Sequence, residues 1–149
     1  MDQDTNFFLI RLASSMDENA LLEIIEPLQA PAFFWPADMF RAELVQTKTW
    51  ILEQNGKPLA FVCVRDVSEA YEISVLATGV SQQGKGVMRR LLQQVIEELG
   101  GKRHLWLEVH ENNLNARKLY EKLGFVHTGT RGGYYRDGSA ALLYTRFHS

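Results

Sequence analysis

The sequence predicts a mixed α/β fold, an antiparallel meander followed by a parallel β-α-β crossing, with helices on both faces of one sheet. Three observations carry this. Asn55-Gly56 stands between two apolar runs, the strongest short-range signal for a hairpin. From Gly86 to Leu99, residues Val87, Met88, Leu91, Leu92, Val95, Ile96 and Leu99 fall on one helical face. Directly after that helix, Leu105-Trp106-Leu107-Glu108-Val109 reads as a buried strand, and a second helical pattern follows it.

Taken in order, Phe7 to Leu12 reads as a short strand, and Ser15-Met16-Asp17-Glu18 matches a capping box with Glu18 reaching back to the cap. The helix behind it carries Leu21, Leu22, Ile24, Ile25 and Leu28 at helical spacing, and Pro27 and Pro31 stop it. An aromatic stretch, Phe33-Phe34-Trp35-Pro36, leads into a short helix around Asp38 to Val45. The hairpin strands are Thr49 to Glu53 and Leu59 to Val64, and Ala70 to Ala77 extends the meander. Gly100-Gly101 closes the long helix, and Gly124 closes a helix from Asn113 to Leu123. Phe125 to Thr128, Tyr134-Tyr135 and Ala140 to Phe147 read as strand, with a turn at Asp137-Gly138. No internal repeat interrupts the pattern, and a chain of 149 residues, 46% of them hydrophobic, is sized for one domain spanning 1–149.

Charge narrows the function classes. Lys and Arg number 16 against 18 Asp and Glu, with no run of five like charges, so the basic footprint of a nucleic-acid binder is missing. Apolar stretches fall far short of the roughly 20 residues a membrane helix needs, and Met1-Asp2-Gln3-Asp4 is acidic where a signal peptide is basic. The expectation is a soluble cytoplasmic protein, monomer or homodimer, without membrane or nucleic-acid partners. The lone cysteine, Cys63, lies in the apolar run Leu59 to Val64 with no activating cation beside it, and reads as a buried thiol packing like a small hydrophobe. The four histidines show no ligand spacing, so no metal is expected.

The sharpest local feature is Gln83-Gly84-Lys85-Gly86, which follows a strand and opens the best helix. Two glycines let the backbone turn tightly, so that several N–H groups and the positive helix end converge on an anion such as a diphosphate. From these residues alone, a plain glycine turn before a helix is an equal alternative. A dinucleotide-binding site is disfavoured by the missing third glycine and by the preceding meander, and a Walker loop lacks its Gly-Lys-Ser/Thr.

Taken with this loop, the run from Leu105 to Phe125 resembles the GNAT superfamily of N-acetyltransferases. Leu-Glu-Val, then Asn113-x-x-Ala116-x-x-Leu119-Tyr120-Glu121-x-x-Gly124-Phe125, is most similar to the RimI branch, which acetylates the N-terminal amine of a ribosomal protein. Weaker similarity runs through Trp35 with Phe40, the Gln54-Asn55-Gly56-Lys57 hairpin and the Tyr134-Tyr135 pair. The resemblance implies a GNAT-type fold, acetyl-CoA as co-substrate and direct attack by an amine in a ternary complex, with no protein nucleophile. It implies a splayed strand whose backbone at Val75, Leu76 and Ala77 takes the pantetheine arm. The pyrophosphate then falls to Gln82, Gln83, Gly84, Lys85, Gly86 and Val87, and a CoA contact to Asn113, which is equally an ordinary helix N-cap.

Amine attack on a thioester asks for two proton movements. An α-amine has a pKa near roughly 8 and attacks only when neutral, so a base helps at neutral pH, and the departing thiolate needs a proton donor. The resemblance gives these roles to Glu108 and Tyr120. Read singly, they are also a solvated strand-end glutamate and a core tyrosine; their joint spacing with Asn113 favours the catalytic reading. His110 shares a strand face with Glu108 and is a substrate candidate. Trp35, Tyr134 and Tyr135, with Phe33, Phe34 and Phe40, are candidate walls of the acceptor channel, against a competing reading as core. The acceptor is a protein or peptide N-terminus; a lysine side chain or small amine (polyamine, amino acid, antibiotic) and a non-catalytic acyl-CoA-binding module are the alternatives. The chain departs from the family at Ser81 and Val87, where polar or cationic cofactor partners are usual, and at Gly79. Lys85, Arg89 and Arg90 are the cations that could compensate.

Overall fold

In the computed structural model, which describes residues 7–29 and 34–148, Asn55 and Gly56 stand at φ 53° and 80°. This left-handed pair is what a tight two-residue hairpin needs. It joins β2 (Lys48–Gln54) to β3 (Lys57–Asp66), while β1 (Phe8–Leu12) pairs antiparallel with β2 and β4 (Ala70–Thr78) antiparallel with β3. The amphipathic α3 (Val87–Leu99) then crosses to β5 (His104–His110), parallel to β4. After α4 (Leu114–Lys122), β6 (Val126–Arg131) and β7 (Ala141–Arg146) close the sheet, β7 lying between β5 and β6 in the order β1-β2-β3-β4-β5-β7-β6.

Both sheet faces are covered, so the central strands are continuous apolar runs. Trp50, Leu52, Val62 and Ile73 pack with Leu91, Leu92 and Val95 of α3 and with Tyr120 and Phe125. On the other face, Ile51, Phe61, Cys63, Val75 and Ala77 pack beneath Leu21, Ile24 and Ile25 of α1 (Glu18–Ile25) and Phe40 of α2 (Ala37–Gln46). Cys63 is fully buried, as its neighbours foretell, and burial pushes its thiol pKa up to about 11. Thiolate is therefore scarce at pH 8, and labelling by a disulfide reagent is expected to wait on unfolding. Stoichiometric labelling of the native protein within minutes would contradict this packing.

Local expectations shift in four places. The capping box sits one residue earlier than the sequence suggests. Ser14 accepts from Met16 N, and the Asp17 carboxylate accepts from Ser14 N (2.8 Å), opening a 3₁₀ turn at Ser15–Asp17. The choice is made from outside: the Arg11 guanidinium on β1 holds both Asp17 oxygens (2.9 and 2.8 Å), and Glu18 pairs with Arg41 of α2 (2.7 Å). The first helix ends at Ile25 and tightens into a 3₁₀ turn, Glu26–Leu28, containing Pro27; Pro31 lies outside the described residues. Gly100 follows α3 at φ −67°, whereas Gly124 ends α4 in the left-handed region at 96°. Finally, Tyr134-Tyr135 is not strand. Gly132 and Gly133 (φ 63°) end the ladder after Arg131, and the tyrosines ride on the β6–β7 loop, which turns at Asp137-Gly138 (Gly138 N to Tyr135 O, 2.9 Å). No described helix is long and apolar enough to cross a membrane.

Candidate active site

The parallel contact between β4 and β5 lasts for only three residue pairs, Ala70 with His104, Tyr71 with Leu105 and Glu72 with Trp106. Beyond them β4 stays with β3 as far as Thr78, and β5 stays with β7 as far as His110, so the two strands splay apart. Each then turns a row of backbone N–H and C=O groups into the gap without a sheet partner across it. A cavity of about 250 Å³ fills this wedge. It meets a cleft of about 730 Å³ on one side and a groove of about 680 Å³ on the other. Ser74, Glu108 and Tyr135 line both wedge and cleft, whereas Leu76, Asn113 and Tyr120 line both wedge and groove. Glu108 and Tyr120 therefore stand at opposite mouths of one passage.

The groove is the place for a phosphate-bearing ligand. Gly84 and Gly86 both take φ 78°, and a Cβ at either would meet nothing, so glycine serves the backbone conformation itself. The first N–H groups of α3 have no intrahelical partner, no side chain caps the helix and no acidic residue occupies its first turn, an arrangement that favours an anion. Gln82, Gln83, Gly84, Gly86 and Val87 line the groove with Ala77; Lys85, exposed, does not. Val87 is a core residue of α3, which accounts for an apolar side chain there. Of the cations that could compensate, Arg89 lines the groove, while the Arg90 guanidinium is stacked over the Phe8 ring (4.8 Å). Gly79 is tied to Leu59 O at 2.8 Å, so it does not slacken the loop. Placing a side chain at φ 78° costs roughly 1–2 kcal/mol. Gly86→Ala is thus expected to weaken CoA about tenfold in a calorimetric titration, and unchanged affinity would mean the loop backbone plays no part.

Asn113 accepts from Ala116 N (3.2 Å) as the cap of α4, and it also lines wedge and groove. Tyr120 is buried against Phe125 and Tyr144, and burial alone pushes its phenol pKa up, so the hydroxyl remains protonated across the working range. Across the wedge, Glu108 Oε2 lies 2.8 Å from Arg131 Nε, an ion-pair distance without hydrogen-bond alignment. This buried oxygen thus keeps its acceptor capacity open, an unusual condition for a carboxylate and the one a base requires.

The acceptor candidates divide. Tyr134, about half exposed, and Tyr135 both line the cleft, and neither packs into the core. His110 lines the wedge, not the cleft. It stacks on Tyr135 (4.8 Å), accepts from Asn112 N at Nδ1 and meets Asp137 through Nε2 (3.2 Å), bracing the loop that carries the tyrosines. Trp35 lines the cleft, its backbone clamped by the Gln29 amide in both directions (2.6 and 2.7 Å). Phe34 lines it too, Phe40 is core, and Phe33 lies outside the described residues. Sequence reasoning missed the charged floor of the cleft, formed by Glu43, Arg65 and Glu72 with Arg136 nearby. Burial pushes the Glu72 carboxyl above its ordinary pKa, with Arg65 opposing. Only the acidic or basic character of these residues was visible in the chain, and nothing local joins Glu43 to partners 22 and 31 positions away.

Fold and passage together define an acyl-transfer scaffold. The acetyltransferase (GNAT) family model matches residues 19–125, and the chain belongs to that family. It is 36% identical over 112 residues, 72% of this chain and 74% of the relative, to the [Ribosomal protein bS18]-alanine N-acetyltransferase of Escherichia coli strain K12. It is 26% identical over 146 residues, 94% and 92% of the two chains, to the N-alpha-acetyltransferase RimI of Mycobacterium tuberculosis. The crystal structure of the ribosomal-protein-S18-alanine N-acetyltransferase from Escherichia coli superposes with a TM-score of 0.86 at 32% identity, covering 96% of this chain and 95% of that one. The mixed sheet expected from the sequence is thus the family's own architecture.

Proposed function

We propose that the protein transfers the acetyl group of acetyl-CoA to the α-amine of a protein N-terminus, as the names of its relatives describe for them. The single observation that carries this is the run of groove, wedge and cleft, joined by shared lining residues, with Tyr120 between groove and wedge and Glu108 between wedge and cleft. The α3 end and the Gly84–Gly86 loop suit the pyrophosphate, and the wedge-facing backbone edge of Val75, Leu76 and Ala77, which β5 no longer pairs, suits the pantetheine amides. Acetyl-CoA supplies the thioester carbonyl and the thiolate leaving group. Glu108 takes the proton of the entering ammonium, directly or through water, and Tyr120 holds the proton that the departing sulfur needs. Trp35, Tyr134 and Tyr135 wall the incoming peptide.

Direct attack needs proximity and no protein nucleophile; Cys63 lies buried in the core on the α1 and α2 face. The reading places the enzyme in the cytoplasm, where the thioester and protein N-termini meet. A thiol-release assay tests it, offering a peptide with a free N-terminal alanine, its N-blocked version carrying a lysine, and spermidine. Turnover on the first alone is expected; turnover on either of the others would replace the acceptor, and silence on all three with CoA bound would sink the N-terminal-amine reading, leaving another acceptor or a silent module.

A further inference from the structure

Inside the β3–β4 ladder one residue of β4 is skipped. Cys63 faces Val75 and Val64 faces Ile73, so Ser74 is the extra residue of a bulge. The bulge reverses the alternation of the strand. Ile73 packs with α3, whereas Val75 and Ala77, also odd-numbered, pack with α1 and α2. It also lies two residues past Glu72, the last β4 residue paired with β5, where the wedge begins. The shape of the passage at Glu108 thus depends on how this bulge is held.

The hold comes from α2. Ser74 Oγ donates to Glu43 Oε2 at 2.6 Å, and the other oxygen, Glu43 Oε1, accepts from the Arg65 guanidinium. Glu43 is only 7% exposed, one of few buried charged residues among those described, and a buried carboxylate is kept only when paired and hydrogen-bonded. Arg65 in turn stands 4.0 Å from Glu72 on β4. The pair therefore ties α2 and β3 to the bulged Ser74 and to Glu72 just before it.

We infer that Glu43 is a positioning residue for the transfer: its carboxylate, fixed by Arg65, pins Ser74 and sets the bulge that places the wedge against Glu108. This rests on the reading that the wedge holds the reacting thioester. Glu43 lies on the cleft floor and acts on the transfer through Ser74. The groove at the α3 end lies at the far end of β4, so loosening the bulge misaligns the acetyl group without releasing the CoA moiety.

Ser74→Ala removes the pin while leaving the Glu43–Arg65 pair intact, which avoids stranding a buried charge. Its kcat is expected to fall between about 10- and 100-fold, the range for a misplacement near 1 Å, with CoA affinity and melting temperature close to wild type. Ser74→Thr, which keeps the hydroxyl, is expected to recover most of the rate, and Glu43→Gln to follow Ser74→Ala. Wild-type kcat in Ser74→Ala overturns the inference, as does a parallel loss of CoA binding and thermal stability, which marks a merely structural bond. Tyr120→Phe measured alongside separates the two readings. If it is slow while Ser74→Ala is normal, only the inference fails; if Tyr120→Phe also turns over normally, the wedge is not where transfer occurs and both fail.

Discussion

Tyr120→Phe is expected to lower turnover by about 10²- to 10³-fold while leaving CoA affinity nearly unchanged, within the span general acid catalysis contributes. The substitution removes one oxygen from a ring that is otherwise held by Phe125 and Tyr144, so packing survives it. What goes is the proton. Burial alone raises the phenol pKa, with no charged neighbour contributing, so the hydroxyl is a poor acid in the resting enzyme but never ionised at working pH. A thiolate forming in the wedge of about 250 Å³ has this hydroxyl in the lining as a donor. Losing an interaction made only as the sulfur departs lowers kcat and kcat/KM together and leaves ground-state binding alone. Single-turnover rates with bound acetyl-CoA measure it. A loss confined to KM would make Tyr120 a wall of the pocket, and unchanged turnover would remove it from the chemistry.

How much of this was legible in the sequence depends on the range of the interactions. The Asn55-Gly56 turn, the apolar face of α3, the Asn113 cap and the buried Cys63 follow from neighbours a few residues apart, and all stand as expected. The capping box failed by one position because Ser14 with Asp17 and Ser15 with Glu18 satisfy the same spacing, and only Arg11 across the chain decides between them. Tyr134-Tyr135 has strand composition, but the Gly132-Gly133 break controls its backbone and places both rings in the cleft. The splay was legible only through family resemblance, since no residue type marks the point where β4 leaves β5. The Glu43–Arg65–Ser74 hold and the Arg131–Glu108 pair join separate elements and have no local signature at all.

Glu108→Gln is expected to change the pH dependence of the reaction as well as its rate. The amide keeps the shape of the carboxylate but cannot accept a proton, so the variant uses only acceptor molecules that arrive neutral. With an α-ammonium pKa near roughly 8, that fraction falls about tenfold for each pH unit below it. The deficit should therefore be largest at neutral or lower pH, on the order of 10²-fold, and shrink as pH rises past the amine's own pKa. The substitution also removes the ion pair with Arg131; the amide puts no charge at the buried Oε2 position, and the Arg131 side chain, 51% accessible, keeps its charge in solvent, so the fold is retained. Positioning and proton transfer separate cleanly here. A uniform drop with the wild-type pH profile would mean that Glu108 only orients the amine and that the base lies elsewhere in the cleft, with Glu72, the floor carboxyl whose pKa burial raises, as the next group to replace. Recovery of rate in the variant at alkaline pH, measured with the free N-terminal peptide, is the result that assigns the proton to Glu108.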